Sequence, residues 1–134
     1  MNSTDHLIEI LETEPNPDHW YDYDLVRVGP EIDRLAESEW ARLVADLPAR
    51  SEGFRRRLAQ TQLYSEQPRA TELLVELLRA REVSVGAMAA EMLLEKNFSW
   101  SPELPLRAEV QRHLAQAAQE HRAALERLLR RLIT

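Results

Sequence analysis

The chain has 134 residues, of which 44% are hydrophobic and 30% are charged, a balance typical of one soluble globular domain and not of a disordered segment. It contains no cysteine, which excludes disulfide bonds, thiolate catalysis and thiolate metal ligation. The net charge of −6 is unevenly divided: residues 1–46 carry 12 acidic and 3 basic side chains, whereas residues 47–134 carry 11 and 14. An acidic N-terminal third repels phosphate groups and attracts basic protein surfaces, so we expect no direct binding of nucleic acid.

The N-terminal region predicts two short helices that flank an acidic, aromatic segment. Apolar residues at helical spacing predict a first helix over about residues 4–13, which the prolines that follow bring to an end. Residues 18–24 then read DHWYDYD, in which aromatic residues alternate with acids. Beyond them, Val28-Gly29-Pro30 is expected to interrupt any helix that begins at Asp24. Pro30 suits the first position of a second helix.

Two pairs of helices are predicted in the middle of the chain. Residues 38–64 contain one helix that Ser38 would cap and another that Ser51 would cap. Residues 68–96 contain a helix opened by a proline and another that Ser84 would cap. The residues that we expect to be buried are apolar and recur at helical spacing: Leu43, Leu47, Leu58, Leu74, Leu78, Ala89 and Ala90.

An internal repeat relates the two pairs. Residues 43–63 and 74–94 align at an offset of 31 with seven identities, whereas composition alone would produce about two. Repeats of two short helices stack into binding surfaces and seldom carry chemistry. The identical pairs are Leu43/Leu74, Val44/Val75, Leu47/Leu78, Ala49/Ala80, Arg50/Arg81, Ala59/Ala90 and Leu63/Leu94.

The C-terminal region predicts one long helix. From Leu106 the apolar residues follow a near-heptad spacing, which predicts a helix over about residues 106–132, roughly 40 Å long. Such a helix would cap the repeats, and its pairing with a second copy of the chain is left open. We therefore expect a single all-α domain over residues 1–134, with N-terminal helices, two helical hairpins and a long C-terminal capping helix.

Residues 68–96 resemble a HEAT repeat. Pro68 opens the first helix, a leucine-rich face follows, and the second helix carries Val85 and the Ala89-Ala90 pair. Residues 38–64 fit the same pattern more loosely. The resemblance covers under half of the chain, and the period of 31 is shorter than the ~40–47 residues of HEAT arrays. It implies a short HEAT-like α-solenoid of two helical-hairpin repeats.

A second resemblance is to the small acidic HEAT-like immunity proteins of bacterial toxin systems. It implies a cytoplasmic protein that neutralises a cognate toxin through an acidic, aromatic-bearing face. The partner would be a basic protein, for which a nucleic-acid-targeting toxin domain is one candidate. The residues that carry this resemblance are Asp22-Tyr23-Asp24-Leu25-Val26-Arg27, followed by Leu35, Ser38, Glu39 and Trp40.

The acidic, aromatic segment is the predicted partner-binding site. Trp and Tyr are enriched in interface hot spots, and carboxylates around them steer a basic partner towards the site. The alternative is that Trp20 and Tyr23 only hold the N-terminal segment against the first repeat, and both interpretations remain open. Trp100 could likewise belong to an interface or to the core, and here the core is favoured. The predicted partner-binding residues are Asp18, Trp20, Tyr21, Asp22, Tyr23, Asp24 and Glu31.

No set of residues typical of an active site is found. The histidines lack metal-ligand spacing, and the three glycines are isolated, so no phosphate-binding loop is formed. A cation site at His19 among its neighbouring acids is less favoured than a solvated acidic turn. We expect no enzyme, cofactor, metal or membrane span. Besides the immunity or inhibitor function, one alternative is a HEAT-like adaptor or assembly scaffold with no inhibitory role. Another is a small enzyme or cofactor-handling protein, which the lack of a catalytic set of residues disfavours.

Overall fold

The computed structural model describes residues 3–13, 20, 24–65, 67–96 and 106–133. Regular structure within these ranges is entirely helical, which confirms the all-α prediction for the described part of the chain. Two short 3₁₀ turns, Leu47–Ala49 and Gln62–Tyr64, accompany the α-helices. The α-helices are α1 (Ser3–Glu12), α2 (Leu25–Asp33), α3 (Glu37–Ala45), α4 (Glu52–Thr61), α5 (Pro68–Leu78), α6 (Val83–Lys96), α7 (Leu106–Leu114) and α8 (Gln119–Ile133).

Helix starts follow the local sequence in some places and not in others. The Ser51 hydroxyl accepts a hydrogen bond of 3.1 Å from the Phe54 N–H, so the predicted cap of α4 is confirmed. The predicted caps Ser38 and Ser84 are wrong, since both residues lie inside their helices. The Ser84 hydroxyl instead donates a hydrogen bond to the carboxylate of Glu52, which ties α6 to α4.

Pro30 does not begin a helix, contrary to the prediction, but lies inside α2. A proline there removes one backbone hydrogen bond, because the ring has no N–H to donate one turn back. The helix persists because Leu25, Val28 and Ile32 on one side of it are all buried in the core. Tertiary packing therefore outweighs a local break signal at this position.

Helix α6 lies at the centre of the molecule, in contact with α4, α5, α7 and α8. Its small residues let these neighbours approach closely: Gly86, Ala87, Ala89 and Ala90 are all buried. All seven residues that the sequence analysis placed in the core are also buried, including Leu58, Leu74 and Leu78 at 0% exposure. The prediction of the core is thus confirmed.

The single long C-terminal helix is wrong, because the chain turns at residues 115–118 and forms α7 and α8 in its place. The two helices pack against each other and both contact α6. A straight helix of roughly 40 Å would extend well past α6, whose 14 residues span about 21 Å. Turning back lets both Val110 and Leu128 reach full burial.

The turn between α7 and α8 is stabilised by its own hydrogen bonds. The Gln116 N–H bonds the His113 carbonyl at 3.1 Å, a three-residue spacing that tightens the end of α7. A guanidinium nitrogen of Arg122 donates to the Leu114 carbonyl at 3.0 Å, and the Ala117 N–H donates to the same carbonyl at 3.4 Å, so this carbonyl at the end of α7 is satisfied. Within the described residues, no helix has the length and apolar character needed to cross a bilayer.

His113 of α7 is a titratable side chain that lies in the core. Its exposure is 0%, and its Nε2–H donates a hydrogen bond of 2.7 Å to the Leu78 carbonyl at the end of α5. Nδ1 is buried and has no partner within the described residues. Burial lowers the pKa of His113 and Arg112 adds to this effect, while the Leu78 hydrogen bond and Glu109 act in the opposite direction.

We expect Gly86→Ala to destabilise the fold. A Cβ at this position would lie 2.6 Å from Cδ2 and 2.7 Å from Cε1 of the His113 ring, which is buried and hydrogen-bonded and cannot move away. The overpacking should cost about 1–3 kcal/mol, more than the ~1 kcal/mol that alanine contributes within a helix. Gly29→Ala is the matched control, because its Cβ would meet the ring of the exposed Tyr64, which can shift. Urea denaturation of both variants measures the difference, and equal stability of the two would contradict this packing.

We expect the stability of the protein to fall as the pH drops below about 6.5, the usual pKa of histidine. Since the pKa of His113 is lower in the folded state, the unfolded chain binds more protons below that pH. The contribution is therefore complete above pH 6.5 and is lost as the pH falls towards the folded-state pKa, by at most about 1.4 kcal/mol per pH unit. His113→Leu should remove this slope between pH 7.5 and 5.5, whereas His121→Gln, at a more exposed histidine, should retain it. Urea denaturation across this pH range tests the prediction, and an unchanged slope in His113→Leu would refute it.

Candidate functional site

The structure describes three of the seven predicted partner-binding residues. Trp20, Asp24 and Glu31 are among the described residues. The other four lie outside them: Asp18, Tyr21, Asp22 and Tyr23. Trp100, for which core anchoring was expected, also lies outside the described residues.

Trp20 is part of the core. Its exposure is 3%, and its indole N–H donates a hydrogen bond of 2.7 Å to the side-chain oxygen of Gln60, a buried residue of α4. This corresponds to the packing alternative, in which the ring holds the N-terminal segment against the first predicted repeat. Replacement of Trp20 would therefore lower the stability of the fold, and its effect on binding could not be separated from that loss.

Asp24 and Glu31 lie near the two ends of α2. Asp24 immediately precedes the helix, is partly buried, and lines a cleft of about 230 Å³ together with His6, Glu9 and Thr13. Glu31 lies two turns further along and is exposed to solvent. These two carboxylates are accessible to a partner, but they do not form a compact site by themselves.

Several other acids of the N-terminal third are engaged within the fold. Glu12 accepts a hydrogen bond of 3.0 Å from Arg50, and Glu37 accepts one of 3.3 Å from Arg69. The Asp33 carboxylate accepts hydrogen bonds from the side chains of Ser65 and Gln67. Intramolecular pairing thus compensates part of the charge of −9, so the attraction for a basic partner is weaker than the residue count implies.

A groove that the sequence analysis did not identify lies between α3 and α5. Its volume is about 420 Å³, and we call it the Trp40 groove. One wall is formed by α3 and the 3₁₀ turn that follows it, and the other wall by α5. Its apolar lining consists of Trp40, Val44, Leu47, Pro48, Leu73, Leu77 and Ala80.

Arg69 anchors one end of the Trp40 groove. Its guanidinium lies 4.4 Å from the centroid of the Trp40 ring, a cation–π contact. The same guanidinium donates hydrogen bonds of 3.0 Å to the carbonyls of Asp33 and Leu35 and one of 3.3 Å to Glu37. The tryptophan is therefore held in a fixed orientation, so this part of the groove is preformed.

The remaining charged groups lie along the rim of the groove. Arg79 pairs with Glu76 at 3.5 Å, and Arg55 pairs with Glu82. The Arg55 hydrogen bond is the main reason that the pKa of Glu82 is lowered. Glu72 is exposed and has no ion-pair partner among the described residues. The rim thus presents compensated arginines and one uncompensated carboxylate.

Sequence periodicity contains only a partial signal for this groove. Trp40 and Val44 belong to the same apolar stripe as Leu43 and Leu47, and only these two leucines of the stripe were predicted to be core residues. The stripe is wider than the buried surface of α3 requires: Leu43 is 3% exposed, whereas Val44 is only partly buried. An unusually wide stripe could have indicated a second surface, but only the spacing of α3 and α5 decides where it lies.

The described residues form a surface that is suited to apolar contact. No group of three or more His, Asp or Glu residues among them is placed to hold a metal ion. The acids and guanidiniums around the Trp40 groove pair with one another, with the exception of Glu72. An apolar groove with charges along its rim can bury the apolar side chains of a partner.

Comparison with known proteins leaves the two resemblances as they stand. No protein-family model, curated protein or solved structure matches this chain.

Proposed function

We propose that this chain is a protein-binding module, and that the Trp40 groove is its principal contact surface. The observation that supports this proposal is an apolar groove with a preformed aromatic residue, Trp40, between two helices of the surface. Trp40 itself is 8% exposed and forms the floor of the groove, so the apolar lining that a partner reaches comes mainly from Val44, Pro48 and Ala80. Apolar surface of this kind, bordered by charged groups, is typical of protein interfaces. The proposal assigns no catalytic activity to the chain.

The scaffold proposed is a HEAT-like stack of two helical hairpins, α3–α4 and α5–α6. Its support is that two pairs of residues equivalent in the 31-residue repeat have the same burial. Phe54 and Val85 are both fully buried, and so are Ala59 and Ala90. Stacked hairpins form extended surfaces between neighbouring first helices, which is where the Trp40 groove lies.

The more specific form of the proposal is an immunity or inhibitor protein of the cytoplasm that neutralises a basic toxin. Its support is the resemblance to small acidic immunity proteins and the charge of −9 over residues 1–46. The exposed carboxylates of Glu9 and Glu31 contribute to such an acidic face. A toxin that acts on nucleic acid fits this charge, because it must itself carry a basic surface.

The second candidate is an adaptor or assembly scaffold with no inhibitory role. It is favoured by the pairing of Glu12 and Glu37 with arginines of the same chain, which leaves an apolar groove as the main binding feature. The two candidates differ in the part of the surface that determines the association rate. The acidic face would control it for a toxin inhibitor, whereas the groove would dominate for an adaptor.

We expect Asp18→Asn, Asp22→Asn and Asp24→Asn together to slow association with the native partner, recovered by affinity capture from the source cells. At low salt the loss should be roughly tenfold in the association rate, and it should shrink as salt screens the charges. Glu91→Gln with Glu95→Gln is the control, since both acids are exposed on α6 and do not line the Trp40 groove. Surface plasmon resonance measures the rates. An acidic partner, or unchanged kinetics in the triple variant, would exclude the inhibitor form and leave the adaptor.

A further inference from the structure

We propose that the Trp40 groove binds an amphipathic α-helix of a partner protein, apolar on the side that faces the groove and basic along the edge that meets α5. This inference rests on the proposed protein-binding function and specifies the chemistry of the partner. It follows from the dimensions of the groove, from its mainly helical walls, and from the charge of its rim.

The dimensions of the groove match one face of a short helix. The part of the groove wall that lies within α5 extends from Arg69 to Leu77, which is about 12 Å at the rise of a helix. The opposite wall begins at Trp40 and Val44 of α3 and continues into the 3₁₀ turn at Leu47 and Pro48. A helix of two to three turns places apolar residues at positions i, i+4 and i+7 over about 10 Å, so its anchors fit along the α5 wall.

The walls disfavour an extended peptide. An extended peptide has unpaired backbone N–H and C=O groups, which need partners in the surface that it covers. The walls of the groove are mainly α-helices, whose interior backbone groups are already paired within the helix. A helix satisfies its own backbone and needs only apolar contact, so it suits these walls better.

The polar groups of the lining offer little to a small polar ligand. The guanidinium nitrogens of Arg69 already donate to Glu37 and to backbone carbonyls. Both terminal nitrogens of Arg55 donate to Glu82, and its Nε, which has no partner within the described residues, lies below the accessible surface. The recognition that remains is apolar contact in the groove together with the charge of the rim.

The one charge of the rim with no ion-pair partner among the described residues is negative and lies on α5, at Glu72. Glu72 and Glu76 are both exposed and lie one turn apart on the same side of the helix. Glu76 is only loosely paired with the exposed Arg79, and Glu72 has no ion-pair partner among the described residues. Lysines or arginines spaced one turn apart on a bound helix would lie opposite this pair, which determines the basic edge of the partner.

The test uses the full chain as bait for a displayed library of random peptides about 16 residues long, roughly 24 Å if helical. The library has no helical bias, so the pattern of the recovered peptides is itself a result. We expect apolar residues at i, i+3 or i+4, and i+7, with lysine or arginine on one edge. Recovery of only proline-rich, extended or acidic peptides, or no enrichment over the empty matrix, would overturn the inference.

The best recovered peptide is then synthesised, and its affinity is measured by fluorescence anisotropy. Glu72→Lys with Glu76→Lys should weaken binding at least tenfold, while Glu91→Lys with Glu95→Lys, an exposed pair at the same spacing on α6, should change it less than about twofold. Both double variants change the net charge equally, so the comparison removes non-specific attraction. Equal effects of the two double variants would place the peptide elsewhere and overturn the inference.

Two further measurements separate the shape of the ligand from its charge. Val44→Glu inserts a carboxylate into the apolar lining and should weaken binding at least tenfold, provided that circular dichroism shows an intact fold. A proline at the centre of the peptide should abolish binding, because it breaks the helix. Persistent binding in either case would refute a helical ligand in the groove.

The inference can fail separately from the proposed function. If the native partner binds all groove variants with wild-type affinity, the chain is still a protein-binding module but uses another surface. If no partner is captured from the source cells and no peptide is enriched, both the function and the inference are wrong. Light scattering that shows a dimer disrupted by Val44→Glu would assign the groove to a second copy of this chain and overturn the heterologous partner.

Discussion

The structure depends on the close packing around α6. Among the eight α-helices of the described residues, four contact α6, which is 14 residues long. They can approach it closely because α6 presents glycine and alanine to its neighbours. The clearest case is Gly86, against which the ring of His113 lies without room for a Cβ. Larger side chains at these positions would separate the helices and leave voids between them, which interiors tolerate poorly. The positions of α4, α5, α7 and α8 thus all follow from one small-residue helix.

Such packing buries helix ends, and each buried end needs partners for its last carbonyls. Basic side chains from other elements supply them. Arg57 of α4 donates to the Leu11 carbonyl of α1 at 2.8 Å, and Arg112 of α7 donates to the Ala80 carbonyl beyond α5 at 3.0 Å. Lys96, at the end of α6, donates to the Gln62 carbonyl at 2.9 Å. These bonds connect elements far apart in sequence, so much of the basic charge has a structural role.

The same use of charge shapes the candidate binding surface. Arg69 caps the end of α2, pairs with Glu37 and covers the Trp40 ring, so one side chain links the N-terminal helices to the groove. Because the arginines around the groove are compensated in this way, Glu72 is the charge at its rim that has no ion-pair partner among the described residues. The groove is therefore a consequence of how α3, the 3₁₀ turn after it and α5 are placed relative to one another.

The helical class and most of the core could be predicted from the order of residues alone, because apolar spacing along a helix depends only on which face can be buried. Leu43, Leu58, Leu74, Ala89 and Ala90 were all placed in the core in this way, and all are buried. The charge asymmetry and the absence of cysteine are likewise properties of the sequence alone.

Three features depend on contacts between distant parts of the chain: the turn at residues 115–118, the burial of Trp20 and the position of the Trp40 groove. The turn contains no glycine or proline, so no local signal marks it; it forms because α7 and α8 gain more contact with α6 and with each other than one straight helix could. Trp20 is buried because Gln60, 40 residues away, accepts its indole hydrogen bond. The groove exists because α3 and α5 leave a gap between them, and a gap between two helices is a property of their relative position, which neither helix encodes on its own.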